Sequence, residues 1–230
     1  MKPSTLLTLL RKFVRGQFRI LGGWASSPPF ECQAAEPSST IQPMFWQPID
    51  FRHEDAPLHI AIQPLGSISH RLQNAVRARL EKTYFAEVTI LPSTKLPKSA
   101  FYPPRSRYRA DWLLPILAKN QKFDKIIGLA SVDVSTSKPP NADWGVFGLG
   151  TLGGRSCVVS DYRLQKKGPI SSTERLCRVA IHEIGHTLGL DHCPTPKCTM
   201  SDAKGAMKTV DDETGFCSLC RRKVKAIRPG

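Results

Sequence analysis

The chain has 230 residues, 40% of them hydrophobic, with a net charge of +14. That length suits one sizeable domain with extensions, and no run approaches the ~18 apolar residues of a membrane-spanning helix. The excess of lysine and arginine admits nucleic acid or an anionic membrane as a partner. However, the charges are scattered outside the N-terminal segment and the tail Arg221-Arg222-Lys223-Val224-Lys225, and no named nucleic-acid motif occurs. A solvated basic surface is therefore expected. Seven cysteines, an odd number without a secretory signal, argue against a disulfide framework. Four of them lie close to a group of histidines, which points to metal instead.

In chain order, residues 1–30 carry Lys2, Arg11, Lys12, Arg15 and Arg19 and no acid, interleaved with Leu6, Leu7, Leu9, Leu10, Phe13, Val14 and Phe18. Such a start resembles a mitochondrial presequence, with a surface helix or a basic extension as the alternative. A cytoplasmic location is expected, with the mitochondrion left open. Residues 21–56, rich in Gly, Ser, Pro and Gln, read as an irregular leader in which Cys32 is a bystander. The ordered domain is expected from Pro57. Leu58–Ile62 reads as a strand ending at Pro64. Ile68–Tyr84 reads as a helix, because Leu72, Val76, Leu80 and Tyr84 recur at spacing four. Glu87–Leu91 is a second strand, giving a strand–helix–strand unit with a parallel pair.

Residues 92–108 read as a Pro- and Lys-rich loop, followed by a helix over Tyr108–Leu117 that Pro115 kinks or shortens. Lys125–Val134 is expected as one strand buried on both faces, with a turn at Pro139-Pro140-Asn141. Gly145–Gly150 mixes glycine with apolar residues before a strand over Arg155–Ser160. Glycine in a strand marks close approach by another backbone. A Gly-rich edge strand could bind an extended peptide by strand addition, and a plain hairpin is the alternative. After the break at Lys166-Lys167-Gly168-Pro169, Ser171 and Glu174 form a capping-box pattern for a helix over Ser172–Leu188. Cys157 and Cys177 read as core.

That helix carries His182 and His186, four apart and so on one face, as two imidazoles gripping one zinc require. Glu183 between them is placed to take the proton of an attacking water. Gly189 can end the helix in a sharp turn that returns His192 as a third ligand, and Asp191 competes for that role. Three protein ligands leave a coordination position open, the arrangement of a catalytic site. Cys193 and Cys198, with Cys217 and Cys220, have the paired spacing of a closed, structural Cys₄ zinc site. The two sites meet at His192-Cys193.

The run His182-Glu183-x-x-His186-x-x-Gly189-x-x-His192-Cys193-x₄-Cys198-x-Met200, followed by Cys217-x-x-Cys220, resembles the archaemetzincin family of zinc metallopeptidases. The resemblance is specific over 182–220 and looser elsewhere. It implies an α/β (α+β) class, a metzincin-like zincin fold with a mixed twisted sheet and helices in an upper subdomain (57–189). The active-site helix then leads into a small zinc-stabilised lower subdomain (190–220), flanked by an extension (1–56) and a basic tail (221–230). It implies catalytic zinc on His182, His186 and His192, and Glu183 as general base. It also implies a second zinc on Cys193, Cys198, Cys217 and Cys220, and Met200 as the methionine beneath the ligands, with Met207 as rival. The substrates it implies are short peptides, with aminopeptidase action among the activities. A monomer is expected. The competing reading is a catalytically weak, zinc-stabilised peptide- or nucleic-acid-binding protein. Glu183 favours the enzyme, because a purely structural site needs no such carboxylate.

Overall fold

The computed structural model describes residues 57–227. The basic N-terminal segment, the irregular leader and Cys32 lie outside them. β1 (Leu58–Leu65), α1 (His70–Tyr84) and β2 (Ala86–Ile90) form the expected unit, with β1 and β2 parallel from Leu58–Ala86 to Ile62–Ile90. The Ser69 hydroxyl caps α1 by accepting the Leu72 N–H, and Val76, Leu80 and Tyr84 are buried. Pro64 does not end β1. Its carbonyl accepts from Thr94 N–H (3.0 Å), so its missing N–H faces that same side, beyond the last paired residues of β2. The stretch expected as a loop after β2 carries two short strands, β3 (Phe101–Tyr102) and β4 (Arg107–Arg109). α2 (Ala110–Leu117) holds Pro115 inside it and ends two residues later.

The run Lys125–Val134 is not one strand. β5 (Lys125–Ala130) stops, the chain bends, and β6 (Val134–Lys138) belongs to a second sheet. The bend is pinned by Asp133, whose carboxylate accepts from Arg163 Nε (2.6 Å) and Arg107 Nε (2.7 Å). Hydrophobic patterning cannot reveal such a distant tether. β7 (Asn141–Val146) turns back on β6, then β8 (Gly148–Gly150) and β9 (Ser156–Ser160) complete the first sheet. Its order is β2-β1-β5-β9-β8, with β8 antiparallel on the edge, and the second sheet runs β3-β4-β6-β7. Alternation along β1 sends Leu58, Ile60 and Ile62 into a core with α1 and α3 (Ser172–Thr187), and Ala61 and Leu65 into a core with α2. The sheet is therefore covered on both faces.

Two short helices follow, α4 (Met207–Asp212) and α5 (Ser218–Ile227). The residues read as a basic tail continue α5 as far as Ile227, and Val224 and Ile227 pack on the main core. Arg175 of α3 fastens this region. Its side chain is 1% exposed and holds Asp211 of α4 through two bonds (2.6 and 2.8 Å), and it also donates to the Leu164 and Lys166 carbonyls. Replacing Arg175 by methionine leaves a buried carboxylate unpaired, so stability should fall by about 3–5 kcal/mol in urea titrations. A loss below 1 kcal/mol would show that Asp211 finds another partner. Among the described residues, no helix is long and apolar enough to cross a membrane.

Candidate metal centre and catalytic cleft

Helix α3 begins as its sequence requires. Ser171 accepts the Glu174 N–H (3.1 Å), but the Glu174 carboxylate turns to Arg79 and Arg178 and not back to the cap. The helix ends in a complete Schellman turn. Gly189, at φ 88°, donates to His186 O (2.9 Å), and Leu190 N–H reaches Gly185 O (3.0 Å). A side chain at 189 would be strained there. The turn brings His192 back, so that one ligating atom each from His182, His186 and His192 lies within 4.8 Å of the others. Asp191 lines the cleft but is not in this group, and Asp202 approaches His192 Nδ1 at 4.0 Å.

The ring nitrogens are assigned by their partners. His182 Nδ1 donates to Thr199 O (2.7 Å) and His186 Nδ1 to Leu190 O (2.7 Å). Both Nε2 atoms are then lone-pair donors, and they face each other at 3.0 Å. Two bare lone pairs so close repel unless a cation sits between them, and two ligands on a tetrahedral zinc stand about 3.3 Å apart. Burial and the neighbouring His186 ring push His182 down to about 4, so it is neutral at pH 7, as a metal ligand must be. The donor set therefore fits a zinc ion with an open position.

Glu183 is 7% exposed, and burial pushes its carboxyl up to about 8, opposed by a bond from the Gly150 N–H. Here the glycines of β8 find their reason. A Cβ on Gly148 would lie 2.8 Å from Glu183 Oε1, and one on Gly150 would lie 2.7 Å from the Glu183 carbonyl. The edge strand can run against the helix because those positions carry no side chain.

Beneath the histidines, Met200 is fully buried, and Gly185 makes room for it: a Cβ at 185 would meet the Met200 sulfur at 2.6 Å. Met207 opens α4 and packs at the core margin. Gly185→Ala is expected to displace Met200 and weaken metal binding at the histidines by ~10-fold, read by chelator competition. Unchanged affinity would show that the floor under the ligands is not needed to position them.

The four cysteine sulfurs also lie within 4.8 Å of one another and form no disulfide. Cys193 and Cys217 sulfurs are 3.7 Å apart, close to the edge of about 3.8 Å of a tetrahedron with Zn–S of ~2.3 Å. The Cys220 N–H, in the first turn of α5, points at the Cys217 sulfur and pulls that thiol down, towards the thiolate that binds metal. The two groups are interlocked. Cys193 N–H donates to Met200 O (2.7 Å), and Thr199, which orients His182, follows Cys198 directly.

A cleft of about 360 Å³ opens on the histidines and Glu183, bounded by β8, by Trp144 of β7 and by the 199–213 segment. Several contributors had no sequence signal. The carbonyls of Thr199 and Leu190 act through the backbone. Lys125, 3% exposed within a hydrophobic strand, donates to Thr187 O at the end of α3 and to Gly154 O (both 2.7 Å). A lysine inside an otherwise apolar run was its only mark.

The model of Peptidase family M54 matches residues 89–226. The archaemetzincin of Haloquadratum walsbyi is 31% identical over 172 residues, covering 71% of this chain and 97% of the relative. That of Methanopyrus kandleri is 34% identical over 161 residues, covering 69% and 87%. Among solved structures, the archaemetzincin of Archaeoglobus fulgidus superposes with a TM-score of 0.63 at 31% identity, covering 72% of this chain and 99% of that one. The Methanopyrus kandleri structure gives 0.64 at 28% identity, covering 78% and 98%. The chain therefore belongs to the archaemetzincins, peptidase family M54, and is a zinc metallopeptidase with a zincin-like fold.

Proposed function

We propose that this protein hydrolyses short peptides, with aminopeptidase action among its activities. In this reading His182, His186 and His192 hold the catalytic zinc, and Cys193, Cys198, Cys217 and Cys220 hold a second, structural one. The observation that carries it is the pair of Nε2 lone pairs facing each other at 3.0 Å beside a buried carboxylate. Four clustered thiols support the second ion. A zinc ion among the histidines supplies Lewis acidity, bringing the pKa of a water towards ~7 and polarising a carbonyl. Glu183 accepts the proton of the attacking water and hands it to the leaving amine. Burial raises the proton affinity of Glu183, which suits a group that must take a proton and then release it. The Gly150 N–H holds the carboxylate at the edge strand, and β8 offers its free edge to an extended substrate. Met200 supports the ligands from below.

The chain divides, in this reading, into an upper part over 57–189 and a lower part over 190–220, and it works as a monomer. The test is a fluorogenic peptide library with free and blocked N-termini, together with a zinc count per chain. Turnover blocked by a hydroxamate, two zinc ions per chain and faster cleavage of peptides with free N-termini are expected. Absence of turnover by the fully zinc-loaded protein would overturn the peptidase reading.

A further inference from the structure

The cleft is lined on one side by residues of α3, Arg178, Val179, His182, Glu183 and His186, and on another by Thr209 and Val210 of α4. Thr199 and Glu213 line the same cleft. The lining therefore offers apolar side chains in Val179 and Val210 and a carboxylate in Glu213, with Lys138 and Lys204 also on the cleft. The Thr199 hydroxyl donates to Glu213 Oε1 (2.8 Å), which fixes the carboxylate in place. The second oxygen has no comparable partner. Among the described residues, no cation stands within ion-pair distance of Glu213, and the nearby arginines are engaged elsewhere. Arg79 pairs with Glu174, and Arg178 donates to Glu174 Oε1 (3.1 Å), Val210 O (2.9 Å) and Asp211 O (3.0 Å). Burial raises the Glu213 carboxyl to about 6, against the Thr199 bond and the more distant charges of Arg178 and Arg79, which lower it.

Apolar side chains and a carboxylate on one cleft match a long aliphatic side chain that ends in a cation. The stem gains from burial against the valines, and the head completes an ion pair that the protein leaves open. A neutral side chain of the same length gains only the first of these. An acidic one meets like charge in a partly desolvated site, which is strongly disfavoured. We propose that Glu213 makes this pocket select a lysine or arginine side chain next to the scissile bond. The inference rests on the peptidase reading above and narrows it to a substrate class.

The test compares peptides identical except for lysine, arginine, norleucine or glutamate at each position flanking the bond. The zinc-loaded parent should cleave the lysine and arginine peptides at one position at least ~10-fold more efficiently in kcat/KM than the norleucine peptide, and glutamate least. Glu213→Gln keeps an oxygen for the Thr199 hydroxyl and removes the charge. It should bring the lysine-to-norleucine ratio near one, through KM. Binding provides a second readout in a Glu183→Ala background, where affinity for the lysine peptide should exceed that for norleucine only when Glu213 is present. Cleavage by the parent with no lysine or arginine preference, or a preference untouched by Glu213→Gln, would overturn the proposal and leave the peptidase reading standing. Failure of the parent to cleave any peptide would overturn both.

Discussion

Replacing Glu183 by alanine should leave the zinc content unchanged and lower kcat by roughly 10²–10⁴-fold, the usual contribution of a positioned general base. The carboxylate is not among the three clustered ring nitrogens, so the ligand set survives its removal. The carboxylate stands against Gly148 and Gly150 of the edge strand, beside the ligands. The variant keeps its fold for a further reason. A buried carboxyl whose pKa is pushed up to about 8 is a cost to the metal-free protein, so its loss does not destabilise the helix. Glu183→Gln keeps the acceptor for the Gly150 N–H and cannot take a proton, so it should be equally inactive. Metal analysis and single-turnover kinetics check both variants. Parental cleavage rates in either would remove Glu183 from the role of base.

The second large effect is expected at the cysteines. Cys193→Ser should release the second zinc proposed for the cysteines and, with it, weaken zinc binding at the histidines. Structural zinc in small domains contributes on the order of 10 kcal/mol to folding, so its loss should loosen the whole 193–220 segment. Two links carry that loosening to the histidines. His192 precedes Cys193 directly, and Cys193 N–H holds Met200 O. Thr199, joined to Cys198, presents the carbonyl that fixes the His182 tautomer. Chelator competition should show catalytic-site affinity reduced by ~10-fold or more, as for other losses of supporting bonds around metal ligands. Limited proteolysis should cut between Cys193 and Cys217. If the cysteine zinc were lost while affinity at the histidines stayed at the parental value, the coupling would be absent even though both sites exist.

Much of this architecture was legible in the chain. Spacing four on α1, the apolar run of β9 and the cap at Ser171 are local signals, and each element formed within one or two residues of its expected place. The misreadings have a common cause. Lys125–Val134 looked like one strand because nothing local shows that Arg107 and Arg163 hold Asp133 at a bend. Pro64 looked like a strand end because its side of β1 could not be known. The last basic residues looked like a tail because Val224 and Ile227 find their apolar partners only across the fold.

By itself the sequence pointed to the clustered side chains, three histidines and four cysteines with one glutamate beside them, at spacings that a helix, a glycine turn and paired loops bring together. Within the histidine triad and within each cysteine pair those relations are local, so side-chain chemistry and backbone periodicity suffice to read them. The tertiary structure alone decided what surrounds the donors. It supplied the Thr199 carbonyl that orients His182, the Gly150 N–H on Glu183, the space under Gly185 for Met200, and the open carboxylate of Glu213 in the cleft. These depend on backbone groups, which every residue possesses, and on contacts between segments far apart in the chain. No local pattern encodes them, because only the packed core brings such segments together.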